Sequence, residues 1–151
     1  MKINKGYFWL ISFVSFVVFI LDRIIKIYIM KTPLSGEVFI LGDFLKFRVA
    51  YNYGIAFGLP VNYYLLIALY IIVLIGLVWI GTGYYAKKKY LQTVAILTVL
   101  LGAVSNLIDR LTLGKVIDYI DIKYYSVLNI ADVMIVVGVI GLILWSYKSD
   151  K

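Results

Sequence analysis

The chain has 151 residues, 64% of them hydrophobic and 15% charged, which is more apolar surface than a soluble domain of this length needs. It contains no His and no Cys, so Ser-His-Asp catalysis, His-ligated zinc, a thiol nucleophile, a disulfide and a thiolate metal site are all excluded. The formal net charge is +7. Its basic residues are scattered at loop ends, which suits lysines that set membrane topology and touch anionic lipid heads and gives nucleic acid no continuous patch.

A membrane span needs about 20 mostly apolar residues, and four segments qualify. The first covers about 6–29. Lys2 and Lys5 precede its apolar run, and the start resembles a signal peptide. Asp22-Arg23 follows where small residues should mark a cleavage site, so it is read as a retained first helix. Asp22 and Lys26 are four residues apart, in the favourable order for a helical ion pair. An interfacial pair that ends the helix at the headgroups explains them, and a supporting role beside an active site is compatible with that.

The segment 31–61 follows. Val38-Phe39-Ile40-Leu41 is strand-like, Gly42-Asp43 is a turn signal, and 44–51 is strand-like again, with Phe47, Val49 and Tyr51 alternating with Lys46, Arg48 and Ala50. Asn52-Tyr53-Gly54 breaks the strand. The small-residue stretch through Gly58 permits positive φ or close backbone approach, and reads equally as a re-entrant turn.

The second and third spans cover about 62–81 and 91–108, joined by a tight turn at Lys87, Lys88 and Lys89. Asn106 and Asp109 end the third span and Arg110 follows. A carboxylate at a helix C-terminus faces the negative end of the dipole, so Asp109 needs compensation, which Arg110 or Lys115 could supply. A local Asp–Arg pair and a functional role both remain open. Asn106, polar one turn inside the span, favours function.

The segment 109–129 is rich in Tyr and charge and is read as an outer loop or short helix, with Tyr119, Tyr124 and Tyr125 suited to the interfacial belt. Asp118 sits in an apolar, aromatic stretch with no local reason for a carboxylate. The fourth span covers about 130–147. Asn129 and Asp132 open it in a pattern close to a capping box, which on these residues alone is the better explanation of Asp132.

The short stretches bearing Lys2, Lys5, Lys87, Lys88, Lys89, Lys148 and Lys151 carry one acid, Asp150; the longer opposite side mixes its bases with seven of the eight acids. Both termini are therefore expected in the cytoplasm. Asp22, Asp109, Asp118 and Asp132 then gather at the outer side. Carboxylates at the edge of hydrocarbon are expensive, and two close enough to share a proton would form an acid/base device. A Ser–Lys peptidase could draw on Lys26 with Ser35, Ser105 or Ser126, although no serine has a recognisable nucleophile context. A transporter would usually place charge near the midplane, which these spans lack. A structural membrane protein would use the aspartates as caps and interfacial pairs.

Taken together, Asp22 with Lys26, Asn52-Tyr53-Gly54-Ile55-Ala56-Phe57-Gly58, Asn106-Leu107-Ile108-Asp109-Arg110, Val116-Ile117-Asp118-Tyr119-Ile120 and Asn129-Ile130-Ala131-Asp132 resemble, in order, the motifs of the lipoprotein signal peptidase family, signal peptidase II. Leu128 stands where that family usually has Phe. Ala103 and Ser105 stand in a usually glycine-rich approach to Asn106, and the stretch between Asp118 and Asp132 is short for the family.

The resemblance implies a single polytopic membrane peptidase domain, mainly α, with four transmembrane helices and a small extracytoplasmic β-sheet, the β-cradle. It implies an aspartic endopeptidase of the bacterial cytoplasmic (inner) membrane, with no cofactor or metal and an active site near the outer face. The enzyme would cleave diacylglyceryl-modified prolipoproteins before the lipidated cysteine. Asp118 and Asp132 match the catalytic pair. Asn52, Asn106, Arg110 and Asn129 match substrate-binding positions, and Asp22, Lys26, Asp109 and Gly54 match supporting ones. Membrane lipids and a cyclic lipopeptide inhibitor such as globomycin are the further partners implied.

Overall fold

The computed structural model describes residues 3–32, 36–54 and 62–149, with 146–149 by backbone alone. Ser35, residues 55–58, Lys2, Asp150, Lys151 and the Lys148 side chain lie outside what is described. The elements run α1 (Lys5–Lys31), β1 (Val38–Leu41), β2 (Leu45–Asn52), α2 (Tyr63–Ala86), α3 (Tyr90–Leu113), β3 (Val116–Ile122) and α4 (Ile130–Ser149).

Helices α1, α2 and α3 are long and apolar enough to cross a membrane; α4 carries a shorter described apolar stretch, Ile130–Trp145. The 27 residues of α1 span about 40 Å, longer than a hydrocarbon core of ~30 Å, so its polar last turns extend past the apolar run. Its buried positions, Phe8, Ser12, Ser15, Asp22, Lys26 and Ile29, trace one face. By contrast α2 is apolar all round and buries only Leu66 and Gly81, as a helix bathed in lipid does. Asn62 caps it by accepting from the amides of Tyr64 at 3.0 Å and Leu65 at 3.2 Å.

Helix α3 is the centre of the bundle, packed against all three others. Its approach to α4 is close because two glycines leave room. A Cβ on Gly102 would stand 2.5 Å from the Ala131 carbonyl oxygen, and one on Gly138 would stand 2.7 Å from the Ala95 carbonyl oxygen. Small residues at such crossings let backbones approach where lipid supplies no hydrophobic drive.

Gly114, with φ 71°, ends α3 in the left-handed region and donates its amide to the Arg110 carbonyl at 2.9 Å. The chain then turns directly into β3, and the sheet order is β1-β2-β3, antiparallel throughout. β1 and β2 lie where the alternating pattern and the Gly42-Asp43 turn place them. β3 does not: the segment read as an outer loop or short helix is a strand, pairing Ala50 with Asp118 and Asn52 with Val116. Its first four residues are all buried, so neither face is solvated and the two-residue alternation is absent.

A second correction concerns Tyr119. Rather than joining an interfacial belt it is 2% exposed, in a cluster with Ile29 and Ile117 that Phe47, Val49 and Ile130 flank. Tyr124 and Tyr125 are exposed. The cluster ties the sheet to the ends of α1, α3 and α4, and so fixes the strand bearing Asp118 over the bundle.

Candidate active site

At this end of the bundle a cavity of about 500 Å³ opens, lined on its polar side by Asn52, Asn106, Arg110, Asp118 and Asp132, with Tyr70 on the wall. Its remaining walls are largely apolar, from Val116 and Val127 to Val136.

β3 delivers Asp118, almost wholly buried, and the first turn of α4 delivers Asp132. Two asparagines connect them. Asn129 Nδ2 donates to Asp118 Oδ1 at 2.7 Å and to Asn106 Oδ1 at 3.1 Å, while Asn106 Nδ2 donates to Asp132 Oδ1 at 2.7 Å. The orientation of Asn106 is determined because its oxygen also accepts from Lys26 Nζ at 3.0 Å, leaving only its NH₂ for Asp132. Burial, followed by the charge of nearby Asp132, pushes the Asp118 carboxyl up to about 7, and hydrogen bonds from Asn129 and Asn52 oppose the rise.

The capping box is also present. Asp132 N donates to Asn129 Oδ1 at 2.9 Å, and Asn129 N donates to Asp132 Oδ2 at 3.2 Å. One oxygen of Asp132 serves the cap and the other meets Asn106 beside the cavity, so the capping and site readings hold together.

Behind the asparagines lies a buried ionic network. Lys26, fully buried, reaches Asp22 Oδ2 at 3.1 Å and Asp109 Oδ2 at 2.9 Å. Asp109 also pairs with Arg23 at 2.5 Å. The compensation expected from Arg110 or Lys115 thus comes from α1, because successive helix residues do not face one another. Arg110 instead donates Nη2 to the Gly54 carbonyl at 2.8 Å and lies over the Tyr70 ring at 4.9 Å; Lys115 lies over Tyr51 at 3.7 Å. Asn52 Oδ1 accepts from Gly54 N at 3.0 Å, a tight turn that aims the Gly54 carbonyl at Arg110.

All ten residues singled out by the sequence therefore gather at one end of the bundle: four directly on the cavity wall beside Asp118, Lys26, Asn129 and Gly54 one contact behind, and Asp22 and Asp109 behind Lys26. Sequence reasoning missed Arg23, Tyr70 and the hydroxyl of Tyr119. Arg23 was legible only as a positive charge beside Asp22, and nothing in the local pattern around Tyr70 marks it. The Ser–Lys arrangement finds no support in the described residues. Ser105 Oγ donates to Asp22 at 2.5 Å, Ser126 Oγ to the Val127 carbonyl at 3.3 Å, and Lys26 is committed to two carboxylates.

Apolar helices long enough to cross a membrane, with Asp118 and Asp132 on one cavity at the bundle end, define the class: a membrane protein. The profile of the family described as signal peptidase (SPase) II matches residues 14–148. The chain is 34% identical over 146 residues to the lipoprotein signal peptidase of Halothermothrix orenii, covering 94% of this chain and 98% of the relative. It is 36% identical over 151 residues to that of Pelagibacter ubique, covering 95% and 90%. A bacterial membrane enzyme solved by the in meso method at 2.3 Å resolution superposes with a TM-score of 0.82 at 30% identity, covering 99% of this chain and 93% of that one. The chain belongs to the signal peptidase II family.

Proposed function

We propose that this chain is an aspartic endopeptidase that removes the signal peptide from diacylglyceryl-modified bacterial prolipoproteins, cleaving before the lipidated cysteine. The observation that carries this reading is the asparagine-bridged pair Asp118 and Asp132 on one cavity wall. With neither His nor Cys in the chain, two carboxylates sharing a proton are the available machinery for peptide hydrolysis.

Burial, with Asp132 nearby, raises Asp118 to about 7, so the pair keeps one proton near neutral pH; with that proton on Asp118, it is donated in a hydrogen bond to the scissile carbonyl oxygen. Asp132 accepts from Asn106 and Asn129 at the N-terminus of α4, contacts that suit a carboxylate, and takes a proton from the attacking water. The hydroxyl adds to the carbonyl carbon. When the C–N bond breaks, the proton held by Asp132 passes to the leaving amine, and the pair returns to one shared proton. Asn52, Asn106 and Arg110, on the cavity wall, contact the peptide backbone around the scissile bond, and Asn129, fully buried behind them, orients Asp118 and Asn106. Asp22, Lys26, Asp109 and Gly54 hold those four in place. No metal or cofactor takes part, and nucleic acid is not a partner.

The domain is one unit with four spans, α4 being the fourth, in the bacterial inner membrane. Lys87, Lys88 and Lys89 between α2 and α3 support a cytoplasmic face there, which puts both termini in the cytoplasm and the cavity near the outer face. The sheet is the cradle over the outer mouth. Four helices cannot enclose a signal helix and two acyl chains, so the chains remain in lipid, where burial is worth ~0.8 kcal/mol per CH₂. A cyclic lipopeptide such as globomycin competes for the same pocket.

The test is cleavage by purified protein in bilayers, comparing the diacylglyceryl-modified precursor with the same precursor unmodified. The modified one is cleaved and the unmodified one almost not at all; equal turnover of the two would overturn this reading.

A further inference from the structure

The first turn of α4 begins with amides that no bond within the helix can satisfy. The helix's own cap residue and two other elements satisfy them. Asp132 N donates to Asn129 Oδ1 at 2.9 Å, the ordinary cap. Ala131 N donates to Asp22 Oδ1, on α1, at 3.3 Å. Ile130 N donates to the Tyr119 hydroxyl, on β3, at 3.3 Å. That hydroxyl in turn donates to the same Asp22 oxygen at 2.7 Å.

Tyr119 follows Asp118 directly. Successive strand residues point to opposite faces, so Asp118 meets the cavity while Tyr119 is directed away from it, into the buried side of the site. Its ring packs 5.7 Å from Phe47, a contact that a phenylalanine would make equally well. The hydroxyl is therefore not explained by packing. It sits at the junction of three elements and joins the strand that bears Asp118 to the turn that bears Asp132.

We infer that Tyr119 is a positioning residue for the peptide cleavage proposed above, its hydroxyl locking the first turn of α4, and with it Asp132, to the strand of Asp118. The inference rests on the reading of Asp118 and Asp132 as the reacting pair. Tyr119 touches neither substrate nor the reacting atoms; it acts through the α4 amide of Ile130 and through Asp22. Misplacement of a reacting group by about 1 Å costs up to ~10²-fold in rate, so loosening this junction lowers turnover and leaves binding intact.

The experiment compares Tyr119→Phe, Ser105→Ala and Asp118→Asn with the unmodified protein in bilayers, using the lipid-modified precursor. Ser105 gives Asp22 its other hydroxyl donor but reaches no amide of α4. Tyr119→Phe is expected to lower kcat about tenfold, equivalent to ~1.4 kcal/mol. KM should stay within about twofold, Tm should fall because Asp22 and the Ile130 amide each lose a partner, the kcat loss should persist per folded molecule, and Ser105→Ala should lose clearly less kcat. Four results overturn the inference: wild-type kcat in Tyr119→Phe, a loss appearing in KM, a fall in Tm or failure to insert with normal kcat per folded molecule, or an equal kcat loss in Ser105→Ala. Asp118→Asn separates the two levels. If it still cleaves, the catalytic pair itself is wrong; if it is inactive while Tyr119→Phe turns over normally, only the positioning role is wrong.

Discussion

Asn129 donates its side-chain amide to Asn106 across 3.1 Å, and through that bond the carboxylates of Asp118 and Asp132 belong to one hydrogen-bonded chain. Each asparagine is itself restrained: Asn129 by its cap on α4, Asn106 by the buried ammonium of Lys26. The carboxylates are thus held by groups that are themselves hydrogen-bonded elsewhere, which is the preorganisation the proposed two-carboxylate centre needs.

The raised pKa of Asp118 links stability to pH. Its ordinary value is near 3.8 and in the fold it is about 7, so the folded protein holds this proton more tightly than the unfolded chain does. The stability this contributes is complete below the unfolded value and is lost as pH rises through about 7. Asp118→Asn, which never ionises, should therefore melt higher than the unmodified protein at about pH 8 and nearly equal to it at about pH 3, below the unfolded value, in thermal scans in lipid. A constant difference at the two pH values would contradict the burial account. The rate of cleavage should fall across the same interval as the shared proton is lost.

Lys26→Met should be strongly destabilising. It removes the cation between Asp22 and Asp109, both fully buried, and removing one partner of a buried ion pair costs about 3–5 kcal/mol. Asn106 also loses the contact that orients its amide. Denaturant unfolding measures the first effect; an unchanged midpoint would show that the network does not carry the fold.

Gly102 and Gly138 allow a comparison within one helix contact. Alanine at either forces a clash between α3 and α4, and such overpacking costs about 1–3 kcal/mol. Gly102 faces the Ala131 carbonyl, one residue from Asp132, whereas Gly138 faces Ala95 and Val99 further along the helices. Both variants should melt lower, and Gly102→Ala alone should lose kcat beyond its loss of folded protein. Equal kcat per folded molecule in the two variants would contradict a displaced Asp132.

Much of this was legible in the sequence because membrane helices are read from continuous apolar runs, and the runs of α1, α2 and α3 are long. The hairpin of β1 and β2 carried a turn signal and an alternating strand. β3 carried neither, since both its faces are buried and its apolar run has no period to read. The local capping pattern of Asn129 and Asp132 was legible too, because capping depends only on neighbours in sequence. The partners of Asp109 were not, since Arg23 and Lys26 lie on another helix and only packing brings them near. Tyr119 was misread for a similar reason: an aromatic near a span end looks like an interfacial anchor unless the strand that buries it is known.

The most direct measurement is cleavage of the diacylglyceryl-modified precursor in bilayers by Asp118→Asn and Asp132→Asn, each made separately. Both variants should insert and fold, as their melting shows, and both should cleave at background. Substantial turnover by either one, with normal insertion, would contradict the assignment of the reacting pair.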